Sequence, residues 1–374
     1  MRIVSVMTGA APGGAEFAAV ELLDALIERG HEATMLSDSP SIGRETRVEV
    51  HPLELGPKLS GKTWPRLGLR WRSLRSRLER ALEAEAPYDL LLLHYKKEQL
   101  LAPGLPAHLR PQIAWCEWGP VPRQMRRGPG RAAYARAARG AGPVFAISAG
   151  TAQSVVDAGV DAAKVAVLPN AMRTEEIRFS EEGRVRVRAE LGIPPSAFTV
   201  GCVSRFHPKK RNDVLIDAVA ALGPETHLVL AGSGETEAEL RERAAPLGGR
   251  AHFLSTPGEE IGDVLSAFDV SVFCPSPAEG QPRAVILGML AARPCISTGA
   301  EGVIGLIEDS YGAIVSPEND PDAVAAALRP YEDDPERVRR EGELAARRAV
   351  ERFDRAVVAA AAERLIEEAR GSAP

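Results

Sequence analysis

Short apolar runs alternate with amphipathic segments along most of this chain, and the alternation occurs twice. "RIVSVM" (2–7), "DLLLLHY" (89–95), "QIAWC" (112–116), "VFAIS" (144–148) and "VAVLP" (165–169) are bounded by Gly, Pro or charge and read as strands. Between the first two, "AEFAAVELLDALIERG" (15–30) spaces its apolar residues as a helix does and ends on Gly30 as a C′ cap. After Asn170 the pattern breaks into a charged stretch that runs to Pro194-Pro195, the best candidate for a linker. It then restarts with "FTVGCVS" (198–204), "THLVLAGSG" (226–234), "AHFLS" (251–255), "VSVFCP" (270–275), "PCIST" (294–298) and "GAIVSP" (312–317), each followed by a helix-like stretch. Strands alternating with helices give parallel sheets covered on both faces. The expectation is therefore an α/β protein of two doubly wound domains, 1–175 and 176–354. A helical tail spans 335–371 with a break at Phe353-Asp354, and the last helix, 355–374, is expected to complete the first domain.

With 374 residues, 45% of them hydrophobic, the chain is long enough for two separate cores. A net charge of −5 argues against a nucleic-acid partner. Cys116, Cys202, Cys274 and Cys295 lack metal-ligand spacing and read as buried free thiols of a reducing compartment. The N-terminus opens directly on the first strand, without the features of a signal peptide, and no apolar run is long enough to span a bilayer. The expected location is cytoplasmic. The segment 58–86 sets Arg66, Arg70, Arg72, Arg75, Arg77 and Arg80 among Trp64, Trp71 and leucines. Its sharper reading is a weak membrane-surface contact, its plainer one a solvated helix face, and a third is a basic wall for an anionic acceptor.

Ligands of open parallel sheets bind beyond the carboxyl ends of the strands, so those loops hold the candidate residues. The first strand runs into "TGAAPGGAEF", where Gly13 and Gly14 precede a helix and Glu16 sits near its start. A helix N-terminus suits phosphate, and a plain flexible turn needs the same glycines. In "GCVSRFHPKKRND" (201–213), Arg205 and Lys210 flank a short loop between strand and helix, and two such cations can neutralise a diphosphate leaving group. In "CPSPAEGQPR" (274–283), Glu279 ends a strand ahead of a helix that begins near Pro282. A carboxylate there can accept from sugar hydroxyls, or simply complement the helix dipole. His94 reads either as a site residue or, more plainly, as a satisfied structural histidine. No HExxH, Walker A loop or GxGxxG is present, and no metal site is expected.

Taken in order, several segments resemble the retaining, GT-B-fold glycosyltransferases of family 4. They are "GGAEFAAVELLDALIERGHEATML" (13–36), the approach to Pro169-Asn170, the Arg205-x4-Lys210 spacing, the "LVLAGSG" turn with Gly232 and Gly234, "PSPAEGQPRAVILGMLAARPCIST" (275–298) and "GVIGLIEDSYGAIVSPENDPDAVAAAL" (302–328). The resemblance implies two Rossmann-like domains facing a cleft, with a nucleotide-sugar donor mainly on the second and a small-molecule, glycan or lipid acceptor mainly on the first. It implies that Arg205 and Lys210 bind the diphosphate, that Glu279 contacts the donor sugar, and that Gly280, Gln281, Pro282 and Arg283 help to bind phosphate and sugar. Gly13 and Gly14 would close over the diphosphate, Gly232 and Gly234 would border the nucleotide, and no metal or other cofactor would be needed.

Two positions depart from the family pattern. Its Glu-x7-Glu spacing puts a ribose-binding carboxylate eight residues after Glu279, where this chain has Leu287; Glu301, at another strand end, is a candidate to compensate. A histidine often found near the donor sugar is missing from "AWCEWGPVPR" (114–123), which offers Glu117 and Trp118. With Glu16, His94 and Asn170 these form the candidate acceptor or sugar contacts. The expected activity is transfer of a sugar from a nucleotide-sugar, most simply a UDP-sugar, to an acceptor hydroxyl with retention. A non-catalytic nucleotide-sugar-binding protein and an epimerase-like enzyme on the same fold stay open as alternatives.

Overall fold

The computed structural model describes the chain except residues 10–12, 40–45, 60–63, 256–259, 278, 317–319 and 372–374, and describes only the backbone of 64–69. It divides into two compact units, 1–172 with 355–374, and 173–354.

Unit 1 carries β1 (Arg2–Met7), β2 (Glu32–Ser37), β3 (Glu49–Pro52), β4 (Leu90–Leu93), β5 (Ile113–Glu117), β6 (Val144–Ala146) and β7 (Val165–Val167). All pairs are parallel, in the order β3-β2-β1-β4-β5-β6-β7. Its helices are α1 (Gly14–Glu28), α2 (Trp64–Glu85), α3 (Lys96–Leu101), α4 (Gly128–Ala138) and α5 (Ala149–Asp157). Unit 2 carries β8 (Thr199–Val203), β9 (His227–Ala231), β10 (Ala251–Leu254), β11 (Val270–Phe273), β12 (Cys295–Thr298) and β13 (Gly312–Val315) in the order β10-β9-β8-β11-β12-β13, again all parallel. Its helices are α6 (Glu181–Leu191), α7 (Asn212–Ala220), α8 (Glu237–Ala244), α9 (Ile261–Ser266), α10 (Arg283–Leu290), α11 (Pro321–Glu332) and α12 (Pro335–Phe353). In each sheet the order reverses once, beside the first strand, and that is where an open α/β sheet forms its ligand crevice.

The terminal helix α13 (Arg355–Gly371) packs on α1 in unit 1. Val358, Ala359, Ala362 and Ile366 lie on one helical face and join the core of Leu22, Leu23 and Leu26. Arg29 and His31 hold Glu363 at 2.5 and 2.6 Å. The sequence break at Phe353-Asp354 is the point where the chain leaves unit 2, and Thr174 Oγ1 donates to Asp354 Oδ2 at 2.6 Å there.

The structure corrects four sequence readings. First, the charged stretch after Asn170 is not a free linker, because it folds as α6. Arg188 is buried and donates to the carbonyls of Pro195, Ala197 and Ala267, and Arg184 donates to those of Ser266 and Phe268. Both guanidinium groups grip Asp269, at 2.6 and 2.8 Å. These arginines serve as donors for the carbonyls left open at the end of α9, so their charge marks a cap and not solvent. Second, β2 and β3 lie outside the strands read from sequence. Only the second half of β2 is buried and β3 is a short, half-exposed edge strand, so neither forms an apolar run.

Third, no helix follows β12. Residues 299–311 instead back the turn after β11, where Gly302 N donates to Glu279 O at 3.1 Å. A Cβ on Gly302 would sit 1.2 Å from Gly280 O, so only glycine permits this approach. Fourth, the apolar stripe of α2 is already used, since Leu74, Leu78 and Leu82 are buried in the core of unit 1 while Arg70, Arg72 and Arg80 face out. That removes the apolar face the membrane-surface reading needs and leaves the solvated-face and basic-wall readings for the described part of 58–86, where Arg70 and Arg77 border a cavity; residues 60–63 and the side chains of Trp64 and Arg66 lie outside the described residues. Among the described residues no helix is long and apolar enough to cross a membrane. All four cysteines are free and buried.

Candidate functional site

The reversal in unit 2 lies between β8 and β11, and the loops that follow these strands carry Arg205, Lys210 and Glu279. Among the described residues two contacts join the loops. Ser276 N donates to Lys209 O at 2.8 Å, and Lys210 Nζ donates to Glu279 Oε1 at 3.0 Å. Lys210 also stands over the Phe273 ring, 5.1 Å from its centroid. Arg205 is exposed and, among the described residues, makes no hydrogen bond or ion pair.

Gly232 and Gly234 support this loop from behind. A Cβ at Gly232 would lie 1.9 Å from Ser204 O, and one at Gly234 2.2 Å from Phe206 O. Phe206 N donates to Ser233 O at 2.8 Å, and Thr236 N to Phe206 O at 3.2 Å. These glycines thus let the β9 turn lie against the backbone on either side of Arg205. On the other loop, Gly280 and Gln281 are half-buried, Pro282 is the N-cap of α10, and half-buried Arg283 is its first residue. Leu287 is half-buried one turn further along α10 and offers no acceptor to a hydroxyl. Glu301 is exposed, and its N–H donates to Pro277 O at 3.2 Å.

In unit 1 the reversal lies between β1 and β4. Gly13 is the extended N-cap of α1, and Gly14 is the first residue of that helix. Glu16 in its first turn is only 2% exposed; it accepts from Tyr95 Oη at 2.5 Å and pairs with Lys58 Nζ at 2.5 Å. Glu117 is 3% exposed and accepts from Lys96, from Gln99 Nε2 at 3.0 Å and from Tyr134 Oη at 2.8 Å. The Trp118 indole stacks on His94 and donates to its Nδ1 at 3.1 Å. An indole can only donate, so the His94 proton sits on Nε2 and points to Ser5 Oγ at 2.7 Å. Burial pushes the imidazole down to about 3, and it is neutral at ordinary pH. Both His94 nitrogens are thus engaged inside the protein, as in the structural reading, while the residue also borders the cavity formed by its neighbours. Asn170 is buried just after β7.

Tyr95, Lys58, Lys96, Glu117, Trp118 and Pro122 help to line a cavity of about 290 Å³. Sequence reasoning had not singled out Lys58, Tyr95, Lys96 or Glu98. Glu98 lies fully buried behind them, accepts from Thr8 Oγ1 at 2.9 Å and Tyr95 N at 2.9 Å, and is held at about 7 by burial. The "HYKKEQ" stretch directly after a strand was the available signal. Among the described residues no group of His, Cys, Asp and Glu side chains forms a metal-binding cluster.

Two doubly wound parallel sheets, each with polar side chains gathered where its order reverses, define the GT-B architecture. A family model described as Glycosyltransferase Family 4 matches residues 12–176, and one described as Glycosyl transferases group 1 matches residues 197–334. The chain belongs to these family 4, group 1 glycosyltransferases. It is 32% identical over 201 residues to a D-inositol 3-phosphate glycosyltransferase of Streptomyces avermitilis, across 50% of this chain and 43% of the relative. It is 30% identical over 158 residues to a GDP-mannose-dependent alpha-(1-6)-phosphatidylinositol dimannoside mannosyltransferase of Mycobacterium tuberculosis, across 41% of this chain and 40% of that one. The match thus spans less than half the length of these curated relatives. The structure of Anabaena HepE in complex with UDP superposes with a TM-score of 0.85 at 20% identity, covering 98% of this chain and all of that one. HepE in complex with UDP-glucose gives 0.81 at 21% identity. At these identities the likeness shows the fold.

Proposed function

We propose that this protein is a glycosyltransferase that binds a nucleotide-sugar, most simply a UDP-sugar, on unit 2 and transfers the sugar with retention to a hydroxyl of an acceptor held by unit 1. The observation that carries this reading is the contact of Lys210 with Glu279 between the two loops at the reversal of the unit 2 sheet, with Arg205 exposed and unpaired among the described residues on the first of those loops. The bond between the anomeric carbon and the diphosphate oxygen breaks with its electron pair going to the diphosphate. Arg205 and Lys210 offset the charge that builds there, while Glu279 accepts from the sugar hydroxyls. The acceptor oxygen then bonds to the anomeric carbon on the face the diphosphate leaves, and its proton passes to the departing diphosphate oxygen. Positioning and fixed charge do the work, so the reaction needs no strong base. No metal has a part in this reading, since the two cations supply the positive charge.

The names of the relatives support sugar transfer, and the solved complexes of HepE support a uridine nucleotide. Leu287 favours a second reading, a nucleotide-sugar-binding protein without turnover, because a ribose contact of the family is lost there. Calorimetric titration with UDP and GDP, followed by an assay of UDP release from a panel of UDP-sugars, tests both. Saturable UDP binding with UDP release supports the enzyme, and binding without release supports the second reading. Absence of binding to either nucleotide removes both.

A further inference from the structure

Arg211, next to Lys210, holds φ 48° and ψ 42°, the left-handed conformation that L residues other than glycine rarely adopt. It joins the short 3₁₀ turn Pro208–Lys210 to α7. Its guanidinium forks onto Asp213 in the first turn of α7, with Nε to Oδ1 at 3.0 Å and Nη2 to Oδ2 at 3.0 Å. Such a two-point pair with a carboxylate fixes orientation as well as distance. Backbone strain of this kind persists only where the surroundings over-determine it.

We propose that the Arg211–Asp213 fork is a positioning clamp that holds the left-handed turn and thereby keeps Lys210 aimed at Glu279. The chain on the other side of Lys210 is already fixed. Lys210 N donates to His207 O at 2.8 Å, Lys209 N to His207 Nδ1 at 3.1 Å, and Lys209 O accepts from Ser276 N at 2.8 Å. The turn at Arg211 is the other joint, where Val214 N donates to Arg211 O at 3.1 Å and Asn212 Nδ2 to Ser204 Oγ at 3.2 Å. If Arg211 relaxed to negative φ, the chain would leave Lys210 in a different direction and carry its ammonium away from Glu279 Oε1. The clamp acts through Lys210 and touches no substrate. What Lys210 binds rests on the proposed function, but where Lys210 points does not.

The test therefore starts without a ligand. The reactivity of the Lys210 amine toward an amine-specific acylating reagent is followed by mass spectrometry in wild type, Asp213→Ala, Arg211→Gly and the double variant. Asp213→Ala is expected to speed Lys210 labelling roughly fivefold, the population shift allowed by releasing a left-handed non-glycine residue. Glycine adopts the left-handed turn without the strain the clamp offsets, so Arg211→Gly should stay near wild type and the double variant should be rescued to the same level. Should Asp213→Ala fold poorly, Asp213→Asn, which keeps the shape and drops the charge, replaces it. Unchanged labelling in the Asp213 variant overturns the proposal, as does a double variant as reactive as Asp213→Ala. UDP titration of the same set should follow the same order, with loss in Asp213→Ala and recovery in the double variant. If wild type fails to bind UDP, the proposed function falls while the labelling pattern still decides the clamp.

Discussion

The two reversal points of this molecule share one topology and differ in how they treat charge. In unit 1 the loops after β1 and β4 are joined by Thr8–Glu98 and by Glu16–Tyr95, and each lysine at the cavity is paired with a carboxylate that is almost fully buried. In unit 2 the loops after β8 and β11 are joined by Ser276–Lys209 and by Lys210–Glu279, a pair whose side chains are 22% and 20% exposed, while Arg205 stands in solvent without a partner among the described residues. A cation paired with a buried carboxylate cannot be given to a ligand without leaving that carboxylate alone in low dielectric. One with a partly exposed partner, or with none, can be. The same fold thus makes a closed polar wall in one unit and an open cationic site in the other, and that contrast is the physical basis for proposing unit 2 as the diphosphate site.

Four changes would break or sharpen this contrast. The largest effect is expected from Glu117→Leu, which leaves Lys96, Gln99 and Tyr134 without their acceptor. Breaking a buried pair costs about 3–5 kcal/mol, and urea denaturation should show a loss of that order; near-wild-type stability would mean the unit 1 wall is not closed by charge pairing. Next comes Arg205→Ala, expected to cut turnover by ~10²–10³, as for loss of one preorganised stabilising donor, with little change in stability. Steady-state UDP release measures it, and unchanged turnover would remove Arg205 from the site. Third, Leu287→Glu should tighten UDP by about tenfold, the size of one charge-assisted hydrogen bond to ribose. Titration reads this directly, and equal affinity would place the ribose elsewhere.

The smallest effect is a pH slope. Burial raises the Glu98 carboxyl from 4.5 to about 7, so folding favours its neutral form, and its stabilising contribution is full below pH 4.5 and lost as pH rises through 7. His94 runs the other way. Its imidazole is lowered from 6.5 to about 3, so its contribution is full above pH 6.5 and lost as pH falls toward 3. Between pH 4.5 and 6.5 the two slopes oppose each other. Glu98→Gln removes one, so stability should fall more steeply on acidification than in wild type, as measured by urea unfolding across that range. Identical slopes would mean Glu98 is charged and solvated in the folded protein.

Much of the fold was legible because buried parallel strands must be apolar along their whole length. "DLLLLHY" and "VSVFCP" announce β4 and β11 for that reason, and Phe353-Asp354 announces the helix break. The edge strand β3 has water on one side and no such signature. Arginines look solvated in sequence, which hides helix α6, whereas Arg184 and Arg188 find Asp269 and the carbonyls of Ser266, Ala267 and Phe268, some eighty positions away. At the candidate site, Arg205, Lys210 and Glu279 stand out as charged residues directly after strands. Tyr95, Lys96 and Glu98 were missed because their significance depends on Glu16, Glu117 and Thr8, which lie far off in sequence.

By itself, the sequence determined the repeated alternation, hence two parallel sheets, and the residue types available at the strand ends. Periodicity and local spacing are properties of neighbouring residues, and the chain carries them in any conformation. Only the tertiary structure decided which of those end residues would meet, which cations would be neutralised internally and which would stay available. Those outcomes depend on strand order, and on distances between groups that only the packed sheets bring within hydrogen-bonding reach.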